Sequence, residues 1–395
     1  MNALQIDNEF ERAEAFRQSA FSFAETLASR SDETEELRQL PEETVADMKS
    51  FGFSRLCQPR KYGGAELPLN VAIDVLSILA GGCASTAWVC AVYTDHAILS
   101  SLFSEEATDE VWGKNPEAFI SAGYHPMGKV ERTSNGWQLS GKWSWVSGCD
   151  FADWYLFGAF VPDDNAGMVH NFFLVPRDDI EIEDNWHVMG LCGTGSKNVI
   201  IKESIVPNYR VKSMPEVNGG SIARGNMETR PLYRLGHVST VPFVFASVAL
   251  GIAESLLTIM TEQISRRQSM GQNLAELQSM QLHIAEVSAE IDCARLLMMR
   301  DTSDAMSAMR DGRSLSMLER GRNRRDQAYT GRLCKSAVDR LHNMAGASGI
   351  FDSHTSQRKF RDLQAAVRHI GLSWDLAGTT CGEIMFGLEP SSPLI

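Results

Sequence analysis

The chain has 395 residues, 44% of them hydrophobic, and its 37 Lys and Arg against 50 Asp and Glu give a formal net charge of −13. This length allows several packed layers and more than one domain, whereas the acidic balance argues against a protein that binds nucleic acid along its phosphate backbone. The eight cysteines are scattered without a CxxC pair. Neither a disulfide framework nor a metal site is therefore predicted.

Two stretches bear on export and membrane attachment. Residues 1–9 lack the basic region and apolar run of a secretory signal. The longest apolar run, 241–260, is interrupted by polar residues such as Glu254, so it is predicted as a buried helix rather than a membrane span. Together with the unpaired cysteines, these features indicate a cytoplasmic protein that does not bind a membrane.

The first part of the chain has a helical pattern. From Glu9 to about Phe103 apolar residues recur at intervals of three and four, with breaks at Gly52 and Pro59. The segment 72–103 is so apolar that we expect a helix buried on most sides, interrupted near Gly81 and Gly82. Residues 1–114 are therefore predicted to form an N-terminal helical domain.

Between about residues 115 and 215 the period changes to two. Short aromatic and β-branched segments alternate with turn signals such as Asn135-Gly136. We predict a compact central β-domain, a barrel or a sandwich, over 115–215. Its predicted strands are Phe119–Ser121, Trp137–Leu139, Trp143–Ser147, Trp154–Phe157, Phe172–Val175 and Val199–Ile201.

Helices return in the last part of the chain, residues 216–395. The stretch Glu216–Glu228 is predicted as a linker, and three long segments that follow carry apolar stripes of a four-helix bundle, namely 250–267, 274–310 and 315–346. The order of helices, strands and helices lacks the strand and helix alternation of a Rossmann domain. The fold class predicted is therefore mostly helical α+β.

One stretch of the β-domain, Gly141–Trp154, alternates aromatic and hydroxyl residues. Strict alternation places Trp143, Trp145 and Ser147 on one face of a strand, where a flat indole and a hydroxyl can meet one planar ligand. A half-buried strand without a ligand explains the same pattern. The stretch alone leaves both interpretations open.

Five motifs occur in an order that resembles the acyl-CoA dehydrogenase fold, and in particular its monooxygenase branch. The resemblance implies the oxygenase component of a two-component flavin-dependent enzyme, which takes FADH2 or FMNH2 from a separate NAD(P)H:flavin reductase. It further implies a homotetramer in which O2 and the flavin form a C4a-hydroperoxide that hydroxylates a phenolic or indolic small molecule. The motifs are 83–88 with His96, 121–128, the Trp-Ser stretch, 189–196, and 357–362 with His369.

An acyl-CoA dehydrogenase using oxidised FAD is the alternative function, and a non-catalytic flavin-fold protein is a more distant one. Dehydrogenases of this fold commonly carry a glutamate base shortly after an Arg-Asp pair, and no such glutamate follows Arg361-Asp362. Some dehydrogenases place the base elsewhere, and Glu254 lies in a helix where that base can fall. The missing glutamate therefore favours the monooxygenase.

The resemblance assigns catalytic roles to Ser147, His369 and His96. Ser147 is expected beside the flavin N5 edge, with Trp145 packed on the ring system and Ser121 among the flavin contacts. His369 is expected to accept a proton from the phenol or indole during oxygen transfer, because imidazole titrates near neutral pH. His96 matches a histidine near the substrate. Ordinary core or strand roles remain open for all five.

The resemblance also places a flavin phosphate contact at Arg267, in Arg-Gln-Ser-Met-Gly, where Met270 replaces the usual Phe. A planar guanidinium suits bidentate phosphate binding. Gly346 and Gly349 are expected to approach the cofactor of a neighbouring subunit, although a helix C-cap explains them equally well. The arginine-rich run 320–325 is predicted as a solvated helix face rather than an anion site.

Overall fold

The N-terminal region is helical, as predicted. The computed structural model describes residues 3–163, 167–218, 230–269, 271–392 and 395. All 17 residues of the helix Ala84–Ser100 are buried, and the break before it falls at Cys83, whose backbone is extended. The helices here are α1 (Glu9–Ser29), α2 (Ser31–Leu37), α3 (Glu42–Phe51), α4 (Leu69–Gly82), α5 (Ala84–Ser100) and α6 (Glu105–Trp112).

Seven strands follow and form one bent sheet in the order β5-β6-β2-β1-β3-β4-β7. The first half of β1 pairs in parallel with β3, and after a register shift its second half pairs antiparallel with β2. The strands are β1 (Ile120–Arg132), β2 (Gly136–Val146), β3 (Trp154–Asp163), β4 (Gly167–Pro176), β5 (Glu181–Glu183), β6 (Lys197–Pro207) and β7 (Val211–Ser213).

The bend folds the sheet into two layers. Trp143 of β2 packs on Phe157 of β3 with ring centroids 4.4 Å apart, and Trp137 of β2 meets Phe173 of β4 at 6.5 Å. Aromatic pairs at these separations gain energy beyond their buried area. The core of this region is therefore a sandwich, one of the two predicted forms.

Three expectations about this region need correction. The segments Trp137–Leu139 and Trp143–Ser147 belong to one strand, β2, because a bulge rather than a turn separates them. Strands β5 and β7 were not predicted, since three residues carry too short a pattern to detect. The predicted linker begins in a helix, α7 (Met214–Asn218), and the rest of Glu216–Glu228 lies outside the described residues.

The C-terminal helices pack along one another and against α4 and α5 through α9. They are α8 (His237–Thr240), α9 (Phe243–Arg266), α10 (Gln278–Arg310), α11 (Met317–Ala345), α12 (Thr355–Ala366) and α13 (Trp374–Met385). A small hairpin, β8 (Gln268–Ser269) and β9 (Gln272–Asn273), links α9 to α10. Helix α9 begins earlier than the predicted residue 250.

Helix α9 is apolar on most sides because it packs between the N-terminal helices and the bundle. The segment His237–Arg266 is long and apolar enough to cross a membrane, but 72% of its most apolar window is buried inside the structure. The prediction of a buried helix over 241–260 is confirmed.

Candidate active site

The Trp-Ser stretch ends β2 in a bulge, so the predicted alternation is wrong. Trp143 and Val146 both pair with β6, and the register shifts between them. Trp145 has φ +61°, a left-handed conformation that costs about 1–2 kcal/mol for a residue with a side chain. Trp143 is consequently buried in the sandwich, whereas the Trp145 indole is 68% exposed. The bulge therefore leaves the Trp145 indole exposed and the Trp143 indole in the core.

Ser147 lies two residues after Trp145, and its hydroxyl belongs to a buried series of hydrogen bonds. Trp88 Nε1 donates to Ser147 Oγ (3.3 Å), which is 2.7 Å from Ser196 Oγ. Ser196 Oγ is in turn 2.7 Å from Thr194 Oγ1, and the Thr194 hydroxyl donates to the Leu191 carbonyl (2.8 Å). Ser121 Oγ donates to the Ser147 carbonyl at 2.8 Å.

The two ends of this chain fix its direction. An indole N–H can only donate and a carbonyl oxygen can only accept. The Thr194 hydroxyl donates its hydrogen to the Leu191 carbonyl. Ser196 therefore donates to Thr194, and Ser147 donates to Ser196. The Ser147 oxygen therefore has no proton left for a further partner but retains capacity to accept a hydrogen bond.

Helix α12 holds the loop 189–196, which contains Leu191, the last acceptor of this series of hydrogen bonds. Arg361 Nη1 donates to the Met189 carbonyl (2.6 Å), and the Leu191 N–H donates to Asp362 Oδ1 (2.7 Å). Burial raises the pKa of Asp362 to about 6. A Cβ at Gly190 would lie 2.1 Å from the Arg361 carbonyl, so the backbones meet at a distance only glycine allows. The motifs 189–196 and 357–362 are thus one assembly.

His369 follows α12 and reaches the same indole as Ser147. Its ring lies edge-on to Trp88, with centroids 5.5 Å apart, and 4.1 Å from the ring of Phe245. The structure therefore brings Ser147 and His369 together around Trp88. Burial, with smaller contributions from the charges of Arg324 and His96, lowers the pKa of His369 to about 3.

The tautomer of His369 follows from its backbone contact. The Gly371 N–H donates to His369 Nδ1 at 3.1 Å, so Nδ1 is an acceptor and the neutral ring carries its proton at Nε2. To accept a proton at Nε2 the ring would have to move its own proton to Nδ1, against the Gly371 N–H. This arrangement favours a hydrogen-bond donor at Nε2.

His96 belongs to a second group on the same face of α5 as Trp88, two turns further on. Its Nδ1–H donates to the Ile120 carbonyl at 2.9 Å. Asp95 lies between two imidazoles, with Oδ2 3.5 Å from His96 Nε2 and Oδ1 3.5 Å from His237 Nε2. Burial raises the pKa of Asp95 to about 8 and lowers those of His96 and His237 to about 4 and about 3. At neutral pH the group is an uncharged acid between uncharged rings.

Arg267 and Gly346 meet at the end of the bundle. Arg267 Nη1 donates to the Ala345 carbonyl at 2.9 Å, and a Cβ on Gly346 would lie 3.8 Å from Arg267 Nη2. Gly346 caps α11 with φ +62° and ψ −149°, a combination essentially restricted to glycine. Gly349 is buried in the turn that follows. Gly346 is therefore a helix C-cap, whereas the approach of Gly346 and Gly349 to a cofactor and phosphate binding by Arg267 stay predictions.

The cluster of Arg267, Gly346 and Gly349 is separate from the Trp145 and Ser147 region within one protomer. No hydrogen bond, ion pair or ring contact among the described residues joins Arg267, Gly346 or Gly349 to Trp145 or Ser147. The Arg267 side chain is exposed. Met270, the departure from the family motif, lies outside the described residues.

Glu254, the alternative dehydrogenase base, is engaged in an ion pair. Arg295 donates to both of its carboxylate oxygens, from Nε at 2.7 Å and from Nη2 at 2.8 Å. Arg295 also binds Asp74 at 2.9 Å. A carboxylate with both oxygens bound to one guanidinium is not free to remove a proton from a substrate, so the dehydrogenase is not favoured.

The groups around Ser147 suit a reduced flavin. A planar heteroaromatic ring can stack on the exposed Trp145 indole. The Ser147 oxygen accepts hydrogen bonds, and a reduced flavin carries an N–H where an oxidised flavin has a bare nitrogen. The exposed indole and the acceptor oxygen therefore fit the reduced flavin that the sequence predicts.

Several residues of this site were not singled out from the sequence. Trp88, Thr194 and Ser196 stand inside quoted motifs, and helical spacing relates Trp88 to Asp95 and His96. Arg324 stands in the run 320–325, which was predicted as a solvated face. No sequence signal distinguished two others, because tertiary packing brings them to the site, namely His237 and Phe245.

Comparisons with known proteins agree with this architecture. Residues 11–112 match the family model of the acyl-CoA dehydrogenase N-terminal domain, and residues 243–374 match that of the acyl-CoA dehydrogenase C-terminal domain. The FADH(2)-dependent resorcinol hydroxylase oxygenase component of Rhizobium sp. (strain MTP-10005) is 33% identical over 93% of each chain. The p-hydroxyphenylacetate 3-hydroxylase oxygenase component of Acinetobacter baumannii is 30% identical over 93% of this chain and 88% of the relative.

Solved structures agree as well. The 3-HSA hydroxylase from Rhodococcus sp. RHA1 has a TM-score of 0.91 at 29% identity, covering 98% of this chain and 99% of that chain. XiaF from Streptomyces sp., in complex with FADH2 and glycerol, has a TM-score of 0.92 at 27% identity, covering 98% of both chains. The predicted fold is confirmed, and the chain belongs to the oxygenase components of flavin-dependent aromatic monooxygenases, which share the acyl-CoA dehydrogenase fold.

Proposed function

We propose that this enzyme uses reduced flavin, FADH2 or FMNH2, and O2 to hydroxylate a small phenolic or indolic compound. The observation that carries the proposal is the meeting of Ser147 and His369 at Trp88. One of these residues presents a hydrogen-bond acceptor to the flavin, and the other presents an Nε2–H donor to the substrate. A separate NAD(P)H:flavin reductase supplies the reduced flavin, in keeping with the oxygenase-component names of the relatives.

The β-domain side of the site binds the cofactor. Bound reduced flavin supplies the electrons with which one atom of O2 enters the ring and the other leaves as water. Trp145 stacks on the flavin, and the Ser147 oxygen accepts its N–H because the Ser147 proton is committed to Ser196. Ser121 fixes the backbone at Ser147, which keeps that oxygen in position. Arg267, Gly346 and Gly349 contact the flavin of another subunit.

The helical side of the site handles the substrate. His369 serves as the acid–base residue and holds a proton at Nε2, directed away from the Gly371 N–H. His96 contributes a second imidazole, fixed by Ile120 and facing Asp95. A phenol ring is supported by the names of two relatives at least 30% identical, which act on resorcinol and p-hydroxyphenylacetate.

We further propose a cytoplasmic homotetramer whose protomers comprise a helical domain (1–114), a β-domain (115–215) and a linker with a helical bundle (216–395). Large apolar side chains are exposed beside the Gly346 turn, at Ile350 (76%) and Phe351 (63%). Adjacent exposed apolar side chains often mark protein interfaces. Light scattering after size-exclusion chromatography would measure four protomers, and a monomer would refute the tetramer.

Product analysis tests the proposed activity. The protein is mixed with chemically reduced flavin, air and a panel of phenols and indoles, and we expect a hydroxylated product. No oxygenated product from any compound would refute the proposal. Reduction of bound FAD by an acyl-CoA without O2 would support the dehydrogenase, and flavin binding with neither reaction would support a binding protein.

A further inference from the structure

Arg324 is a deeply buried cation without a carboxylate partner. Its side chain is 2% exposed, and Nη1 donates to Gln327 Oε1 (2.7 Å) and to the Gly371 carbonyl (3.2 Å). Nε is buried without a hydrogen-bond partner, and no Asp or Glu in the described part of the chain forms an ion pair with this guanidinium. A buried charge is costly unless it is paired.

Two other arginines of α11 have carboxylate partners, one on α10 and one on α11 itself. Arg322 binds Asp304 at 2.9 Å, and Arg325 binds Asp326 at 2.6 Å. The predicted solvated face of the run 320–325 is therefore wrong for Arg324, because the helical period turns this residue inward, whereas Arg322 and Arg325 reach carboxylates. Arg324 is left with neutral partners.

Arg324 is connected to the proposed acid–base residue, His369, through hydrogen bonds to one residue, Gly371. The Gly371 carbonyl accepts from Arg324 Nη1, and the N–H of the same residue donates to His369 Nδ1. The charge of Arg324 reaches the ring, since it contributes to the lowered pKa of His369. The guanidinium thus belongs to the helical side of the site.

The ionisable groups of the helical side of the site do not balance the charge of Arg324 at neutral pH. Burial raises the pKa of Asp95 to about 8, so this carboxyl is protonated, and its pKa gains nothing from Arg324. The pKa of Arg324 is lowered by burial, to about 10, and the guanidinium stays charged. The remaining groups are neutral because burial lowers the histidine pKa values and raises that of the tyrosine, namely His96, His237, His369 and Tyr124.

We propose that Arg324 is the anion-binding residue of the substrate site, so that the enzyme takes its aromatic substrate as an oxyanion, either a phenolate or a carboxylate borne on the ring. This inference rests on the proposed function. A bound oxyanion neutralises the unpaired guanidinium, whereas a neutral aromatic of the same shape leaves it unpaired. The difference between the two ligands sets the specificity.

The test uses the flavin-free protein, so its readout is independent of turnover. 4-Nitrophenol is titrated with pH while the visible absorbance of its phenolate is followed, and 4-nitroanisole serves as the neutral control. We expect protein binding to lower the pKa of the nitrophenol by at least about one unit, equivalent to a tenfold preference for the anion. Competition by benzoate, against benzamide, distinguishes a carboxylate from a phenolate.

Three variants assign the effect. Arg324→Met is expected to abolish the anion preference, Arg324→Lys to retain part of it, and Arg332→Met, at an exposed position of the same helix, to leave it unchanged. Arg324→Gln replaces Arg324→Met if the latter does not fold. Equal preference in wild type and Arg324→Met, or neutral ligands bound as tightly as anions, would overturn the inference, as would failure to bind any anion.

These outcomes separate the inference from the proposed function. A hydroxylated product without anion preference refutes the role of Arg324 alone. Anion preference that depends on Arg324, in a protein that yields no oxygenated product, supports the anion site and refutes the activity.

Discussion

The two sides of the candidate site differ in how their polar groups are satisfied. On the β-domain side Ser147, Thr194 and Ser196 form a directed chain with defined ends at Trp88 and Leu191. On the helical side polar atoms are buried without a hydrogen-bond partner, among them Asp95 Oδ1, His237 Nδ1 and Arg324 Nε. On the β-domain side each hydroxyl of the chain has hydrogen-bond partners and the Ser147 oxygen keeps room for one more donor, whereas on the helical side these polar atoms have no hydrogen-bond partner.

This difference separates positioning from chemistry. A satisfied network holds its members rigidly, which suits the fixed placement of a cofactor. Buried groups with shifted pKa values and missing partners are costly, and such groups concentrate where substrates bind and protons move. We therefore expect variants on the helical side to change oxygen transfer and variants on the β side to change flavin binding and coupling.

The largest effect is expected for His369→Ala. Acid–base catalysis contributes about 10²- to 10⁴-fold in rate, so oxygen transfer should slow by that order. Flavin binding and flavin oxidation should change far less, because His369 makes no contact with Ser147 except through Trp88. Rapid mixing that follows flavin absorbance and product separately measures both. Equal loss of the two steps would show that His369 is not specific to oxygen transfer.

The next effect concerns Asp95 and pH. Its pKa of about 8 lies above the usual 3.8, so the folded chain holds this proton where the unfolded chain has lost it. The resulting stability is present at low pH and is lost as pH rises towards 8, at up to about 1.4 kcal/mol per unit. Asp95→Asn should remove this slope.

The comparison of wild type with Asp95→Asn between pH 6.5 and 8 isolates Asp95, because Asp301, whose pKa burial raises to about 7, contributes equally to both proteins. The pKa values of His96, His237 and His369 are lowered from 6.5, so these residues add stability as pH rises to 6.5 and contribute no slope above it. The thermal midpoint of the wild type should fall across the window, and that of Asp95→Asn should fall less. Asp375→Asn, at an exposed position, is the control. Parallel curves for wild type and Asp95→Asn would contradict the assignment.

Ser147→Ala should have a smaller effect, confined to coupling. The change removes the acceptor for the flavin N–H and leaves Trp88 Nε1 and Ser196 without this partner. A lost hydrogen bond of about 1–2 kcal/mol corresponds to roughly 5- to 30-fold less product per flavin oxidised, with hydrogen peroxide in its place. Ser144→Ala, on the exposed part of the bulge, should change nothing. Unchanged peroxide release by Ser147→Ala would remove Ser147 from the cofactor side.

The smallest effect is expected for Trp145→Ala. Loss of stacking should weaken the binding of reduced flavin by about 0.5–1.5 kcal/mol beyond the loss of buried area, measured as Kd. Trp145→Phe keeps an aromatic face and should retain most of the affinity. An unchanged Kd for Trp145→Ala would mean that the exposed indole serves another partner.

The sequence predicts more of the fold than of the site. Apolar residues recur at the helical period in helices and at every second residue in strands, because one face of each element is buried. The sequence therefore identifies the helical regions and the β-domain. The bulge at Trp145 escapes prediction since period two presumes unbroken pairing, and the bulge exchanges the faces of Trp145 and Val146. Arg324 escapes for a related reason: a helical run of arginines does not reveal which side faces the core. The catalytic roles of Ser147 and His369 were predicted only through family motifs.

A crystal structure of the protein with reduced flavin and a phenolic ligand, prepared without O2, tests the two-sided site most directly. We predict the flavin ring against Trp145 with its N–H on the Ser147 oxygen, and the phenolic oxygen among His369, His96 and Arg324. A flavin bound away from Ser147, or a phenol whose oxygen lies away from all three of those side chains, would contradict the division between a cofactor side and a substrate side.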